Sequence, residues 1–126
     1  MTKSYEIILE YIKDLSVEVR DAETFIFSRE QITKYKLGLN ITTKSLKNSM
    51  IEVTTKLDYK DPNKNKKKCY FEISYATVIK IKNKELKKEE LEKLILCDLQ
   101  IEIYPKLEKL FLNTIKNAGF PDLKLE

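Results

Sequence analysis

Alternation of apolar and polar residues with a period of two runs through most of the first two thirds of the chain, a pattern that suits strands with one face in a core and the other in water. Over residues 5 to 19, Leu9, Tyr11, Leu15, Val17 and Val19 fall on one parity and Glu10, Asp14, Ser16 and Glu18 on the other, with Ile12 and Lys13 breaking the pattern. The alternation resumes as Tyr35, Leu37, Leu39, Ile41 and Thr43 against Lys36, Gly38, Asn40, Thr42 and Lys44. After a turn at Lys47, Asn48 and Ser49 it continues as Ile51, Val53, Thr55, Leu57 and Tyr59 against Glu52, Thr54, Lys56 and Asp58, so these two strands pair as a hairpin. A fourth strand sets Cys69, Phe71, Ile73, Tyr75, Thr77, Ile79 and Ile81 against Tyr70, Glu72, Ser74, Ala76, Val78 and Lys80. Both parities are apolar near its middle, which predicts cover on both sides there.

The connections follow from the breaks in that pattern. Asp21 to Thr24 interrupts the first alternation, and Phe25, Ile26 and Phe27 form an apolar knot expected to be an ordered crossover or a single helical turn. Asp61 to Lys68, DPNKNKKK, reads as an exposed turn whose lysines also guard a sheet edge. At Asn83 the period changes. Leu91, Leu94 and Ile95 recur at helical spacing through about Cys97, and Ile103, Leu107, Leu110, Phe111, Thr114, Ile115 and Ala118 form a stronger stripe. Pro105 is tolerable near the start of that second helix and Gly119 is placed to end it. Strands first and helices after indicate an α+β domain: a four-stranded antiparallel sheet followed by two C-terminal helices, one face of the sheet covered by helix. At 126 residues and 42% hydrophobic, the chain is expected to form a single domain over 1–126.

Composition removes function classes. The chain has no histidine and only Gly38 and Gly119 as glycine, so the usual general base and glycine-rich phosphate loops are missing. Cys69 and Cys97 lack the paired spacing of a zinc site and are expected to be free, mostly packed thiols, with no metal and no cofactor. Glu6, Glu10, Lys13, Asp14 and Glu18 rule out a signal-peptide core or spanning helix at the start, which points to a reducing cytoplasm without membrane insertion. The net charge of +4 is carried by lysine, with only Arg20 and Arg29 as arginine, a poor composition for reading bases. One long and one shorter helix cover only part of a four-stranded sheet. Phe71, Ile73, Tyr75, Val78 and Ile79 are many apolar residues for one strand, so self-association or an adhesive groove is expected.

Several segments resemble a known family. YIKDLSVE at Tyr11 to Glu18 is similar to the first strand of SecB, the bacterial protein-export chaperone. EEL at Glu89 to Leu91, the YP pair at Tyr104 and Pro105, and GFP at Gly119 to Pro121 followed by Leu123 and Leu125 fall at that family's spacings. The likeness covers nearly the whole chain. It implies a non-enzymatic holdase that forms a homotetramer, a dimer of dimers, binds unfolded preproteins in apolar grooves and delivers them to the SecA motor ATPase. Preferential binding of unfolded chain needs adaptable apolar surface and no catalytic group.

By the same resemblance, Asp14, Glu18, Tyr70 and Glu72 match positions that face SecA. Parity independently puts Asp14 with Glu18, and Tyr70 with Glu72, on shared strand faces, and an acidic surface suits the motor's basic, zinc-bearing tail. Phe71, Ile73 and Tyr75 match positions that support tetramer assembly. Phe25, Phe27, Tyr35, Leu37 and Leu39 match the surroundings of the client groove.

The chain departs from the family in three ways. It is mildly basic where SecB proteins are usually acidic. It ends at Glu126, where the resemblance leads one to expect a last helix beside the groove. Leu99, Gln100 and Ile101 replace a break between the helices, so these are expected to merge or join differently. Three other functions compete: a SecB-like chaperone dedicated to a toxin–antitoxin pair, a nucleic-acid binder using the lysine-rich loop, and a small enzyme in which Glu72 or Asp98 would act alone.

Overall fold

The computed structural model describes residues 4–61, 69–83, 85–121 and 123. The lysine-rich segment 62–68, on which the nucleic-acid reading rests, lies outside the described residues. The chain forms β1 (Tyr5–Glu18), α1 (Ala22–Gln31), a short 3-10 turn (Ile32–Lys34), β2 (Lys36–Ser45), β3 (Met50–Lys60), β4 (Tyr70–Ile81), α2 (Lys88–Lys93), a π-helical turn (Leu94–Asp98) and α3 (Leu99–Asn117). The four strands make one antiparallel sheet in the order β1-β4-β3-β2, with β1 and β2 at its edges. Among the described residues, no helix is long and apolar enough to cross a membrane.

The alternation fixes which residues face the helices. From β3 and β4, Val53, Leu57, Tyr59, Phe71, Ile73, Tyr75 and Ile79 are buried beneath Leu99, Ile103, Leu107, Phe111 and Ile115 of α3. The core divides into two clusters: one built on Phe71, Phe111 and Phe120, the other on Val53, Ile79 and Ile103. The hairpin between β2 and β3 turns through Asn48 and Ser49, both at left-handed φ near 60°, a conformation that asparagine tolerates well.

The structure corrects the expected pattern at four places. The register between β1 and β4 shifts between Ile7 and Leu9 and again between Ile12 and Asp14. Each extra residue flips the parity, so Leu9 and Tyr11 share the outer face with Asp14, while Leu15 and Val17 lie on the helix face with Ile73 and Phe71. The crossover is a full helix rather than one turn. Asp21 caps it, its Oδ1 accepting from the Thr24 amide at 2.8 Å. The two C-terminal helices merge through the π turn, as the sequence at Leu99 to Ile101 implied, and this puts Pro105 inside α3 rather than near the start of a separate helix. Cys69 is buried, but Cys97 is exposed.

Gly119 ends α3 as expected. Its φ of +108° is open to glycine at little cost. The Gly119 amide donates to the Lys116 carbonyl and the Phe120 amide to that of Ile115, the pair of reversed bonds that closes a helix and swings the next apolar residue back onto it. Phe120 thereby packs edge-on against Phe71 and Phe25, both with ring centroids 5.0 Å away.

Candidate functional site

The face of the sheet away from α3 carries the four residues expected to meet a partner. The register aligns Asp14 with Ser74 and Lys56 in one row, Ser16 with Glu72, Asp58 and Gly38 in the next, and Glu18 with Tyr70 in the third. Asp14, Glu18, Tyr70 and Glu72 therefore occupy one patch spanning β1 and β4. The sequence missed the β3 contribution to it. Lys56 Nζ lies 2.6 Å from Glu72 Oε1, and the Tyr70 hydroxyl donates to Glu72 Oε2 at 2.5 Å. These two donors hold the Glu72 carboxyl below its ordinary range, and the carboxylate in turn raises Lys56. Burial, then the carboxylate beside it, pushes Tyr70 up. Asp58 leans toward β2, where a Cβ on Gly38 would come within 2.4 Å of its Oδ1.

A second copy of the arrangement lies farther along the same face. Lys13 Nζ is 2.6 Å from Glu52 Oε1 and the Tyr11 hydroxyl is 3.2 Å from Glu52 Oε2. Both side chains start on β1 and reach over β4 to β3, and the outer-face residues Ala76 and Val78 of β4 are buried. This explains how the middle of β4 is covered on both faces although α3 packs on only one.

The apolar surplus is real but lies elsewhere than expected. Phe71, Ile73 and Tyr75, expected at an oligomer interface, are covered by the chain's own α3, with Phe71 and Ile73 at 0% exposure. Their parity faces the helix layer, so in this chain they are core. Val78 and Ile79 are buried as well. Exposed apolar residues concentrate on the β1 edge, at Ile8, Leu9, Tyr11, Ile12, Leu15 and Val19.

Further ones lie on Leu96, Ile101 and Leu110 of the C-terminal helical run, with Ile101 77% exposed, and on α1 and β2. Of the expected groove residues, Phe27 and Leu39 are exposed, and Phe25 and Leu37 are half-buried against the core. Tyr35 is buried, its hydroxyl donating to the Cys69 carbonyl at 2.8 Å.

α1 is reversed relative to an ordinary surface helix. Its buried residues are Thr24 and Ser28, while Ile26 is 58% exposed and Phe27 beside it is open too. The Ser28 hydroxyl accepts from the Cys69 amide at 3.0 Å, and the Tyr59 hydroxyl donates to the Ile32 carbonyl at 2.9 Å. These polar bonds, with Phe25 packed on Phe120, dock the crossover and leave Ile26 turned outward. A helix-periodicity search cannot find this, because the buried face is hydroxylic. Among the described residues, no group of three metal-ligating side chains is gathered.

The family described as preprotein translocase subunit SecB matches residues 1–126. The chain belongs to the SecB family. It is 46% identical, over 100% of its length and 90% of the relative's, to a putative protein-export protein SecB of Pelagibacter ubique (strain HTCC1062). The protein-export protein SecB of Rhodopseudomonas palustris (strain BisB18) is 28% identical over 95% of this chain and 72% of that one. Among solved structures, a SecB-like chaperone of Mycobacterium tuberculosis, in complex with a peptide from the HigA1 antitoxin, superposes with a TM-score of 0.71. That match covers 98% of this chain and 90% of that one at 15% identity, a likeness of fold. A SecB sheet and its covering helix are thus what the alternation and the helical stripe build here.

Proposed function

We propose that this SecB-family chain is an export holdase of the cytoplasm: it binds unfolded preproteins, keeps them competent for translocation and delivers them to the SecA motor. The observation that carries the reading is the reversed crossover helix. Ile26 of α1 and Leu39 of the edge strand β2 are left open by the chain's own packing, and Phe27 is partly exposed. Covering each would return ~1 kcal/mol, so an extended apolar segment gains by lying there. An edge strand adds unpaired backbone donors and acceptors for such a segment. The client surface is then Phe27, Leu39 and Ile26, with Phe25, Tyr35 and Leu37 forming its floor.

Assembly as a homotetramer, a dimer of dimers, is supported by the other edge. β1 is 14 residues long, and Ile8, Ile12 and Leu15 along it, with Val19 just beyond it, are exposed. A symmetric contact between two such edges would continue the sheet and cover these residues. For delivery, Asp14, Glu18, Tyr70 and Glu72 share the outer face, away from α1 and α3 chemistry, and suit a basic partner.

The test is suppression of aggregation of a non-native precursor, with particle mass followed by light scattering and SecA added in a second step. Suppression by a tetramer and release on adding SecA are expected; a monomer indifferent to denatured protein would refute the reading. A chaperone dedicated to an antitoxin is a second reading, favoured by the peptide held by the mycobacterial neighbour. It predicts protection of one antitoxin and none of unrelated precursors.

A further inference from the structure

On the outer face Lys56 stands among carboxylates. Its ammonium lies 2.6 Å from Glu72, and the charges of Asp58, two residues along on β3, and of Asp14, beyond β4 on β1, act on it as well. The row that joins Asp14, Ser74 and Lys56 has only a serine between the lysine and Asp14. The pair is partly shielded, with the Lys56 side chain 38% and that of Glu72 17% exposed. An ammonium on Glu72 occupies the place where a partner's cation would form its own ion pair.

We propose that Lys56 is a built-in counter-ion of the outer face, which a cationic partner segment must displace from Glu72 in order to dock, so that Lys56 sets the affinity and the cation preference of this face. The proposal rests on the reading of this face as the docking site for a basic partner, and it specifies how that site is regulated. Two physical consequences follow. Part of the attraction between Glu72 and an incoming cation is cancelled by the Lys56 contact that must be broken, which lowers affinity. Selectivity rises, because a single diffuse charge gains little by exchange, whereas a segment presenting several cations engages Glu72, Asp14, Glu18 and Asp58 together.

The experiment is calorimetric titration of the full chain, as wild type, Lys56→Gln, Glu72→Gln and the double variant, with a decalysine peptide and with purified SecA. Lys56 is half-exposed, so Lys56→Gln keeps the fold, and circular dichroism checks it. At low salt Lys56→Gln is expected to bind decalysine about two- to five-fold more tightly, the range for a partly screened ion pair. The gain should fade as salt rises. It should also disappear in the double variant, because without Glu72 there is nothing to release. Unchanged or weaker decalysine binding by Lys56→Gln overturns the proposal. So does a gain that persists in the double variant, since that reports only net charge. The SecA arm judges the docking reading separately. SecA that binds no variant, while decalysine follows the expected pattern, removes delivery to SecA and leaves the counter-ion role standing. SecA that binds wild type and loses affinity on Glu72→Gln, with decalysine indifferent to Lys56→Gln, leaves delivery standing and removes the counter-ion role.

Discussion

Phe71 illustrates what a single residue owes to its surroundings. Its parity is readable from the alternation, but its partners are not: Tyr35 and Tyr59 flank it and Phe120 closes on it from the chain's far end. Phe71→Ala is therefore expected to destabilise the folded chain itself by ~3–5 kcal/mol, read as a shifted denaturant midpoint. A variant that changed particle mass while keeping that midpoint would place Phe71 at an interface instead.

Two of the outer-face glutamates, Glu72 and Glu52, make a second prediction at this scale. Hydrogen bonds from Lys56 and Tyr70 lower Glu72, and those from Lys13 and Tyr11 lower Glu52. Folded values below the unfolded ones mean the stabilisation is present above the ordinary carboxyl range and is lost as pH falls through the lowered values. The stability difference between wild type and Glu72→Gln should thus be measurable at about pH 6 and shrink as pH falls below the ordinary carboxyl range through the lowered Glu72 value.

Among the elements, β1 departs most from its sequence pattern. Ile12 and Lys13 break the alternation, and the second register shift falls there. The break was legible; its consequence, that Leu9 and Leu15 lie on opposite faces despite equal parity, needed the partner strand. The shift puts Ile12 and Leu15 on one face, and both are exposed along an edge that, among the described residues, pairs with a strand on one side only. Ile12→Lys with Leu15→Lys should lower the particle mass measured by light scattering at an unchanged circular dichroism spectrum, because charge on an edge opposes strand-to-strand association. An unchanged mass would move the assembly surface to Leu96, Ile101 and Leu110. α1 was hidden for another reason: Thr24 and Ser28 face inward, so the segment lacks the apolar stripe by which helices are recognised.

Over the whole molecule, strand order decides the chemistry of the outer face. β4 lies between β1 and β3, and this brings Asp14, Glu72 and Lys56, distant in sequence, into adjacent rows. Asp14→Lys with Glu72→Lys reverses two charges there and is expected to abolish binding of SecA, measured by co-sedimentation. Retained binding would put the docking surface elsewhere. The grouping of the acidic residues by face was readable from parity, but the lysine among them was not, because Lys56 belongs to the hairpin and meets Glu72 only through the pairing of β3 with β4.

The four strands, the hairpin turn, the helical stripe from Ile103 to Ile115 and its end at Gly119 are legible in the order of the residues, because each depends on local periodicity or on one residue's backbone freedom. Which strands are neighbours, where β1 bulges and which apolar residues stay open depend on contacts between segments far apart in the chain. Period two assigns a side chain to a face without saying what covers that face. Cover is set by the helix and by long side chains such as Tyr11 and Lys13, which cross from one strand to another over a third.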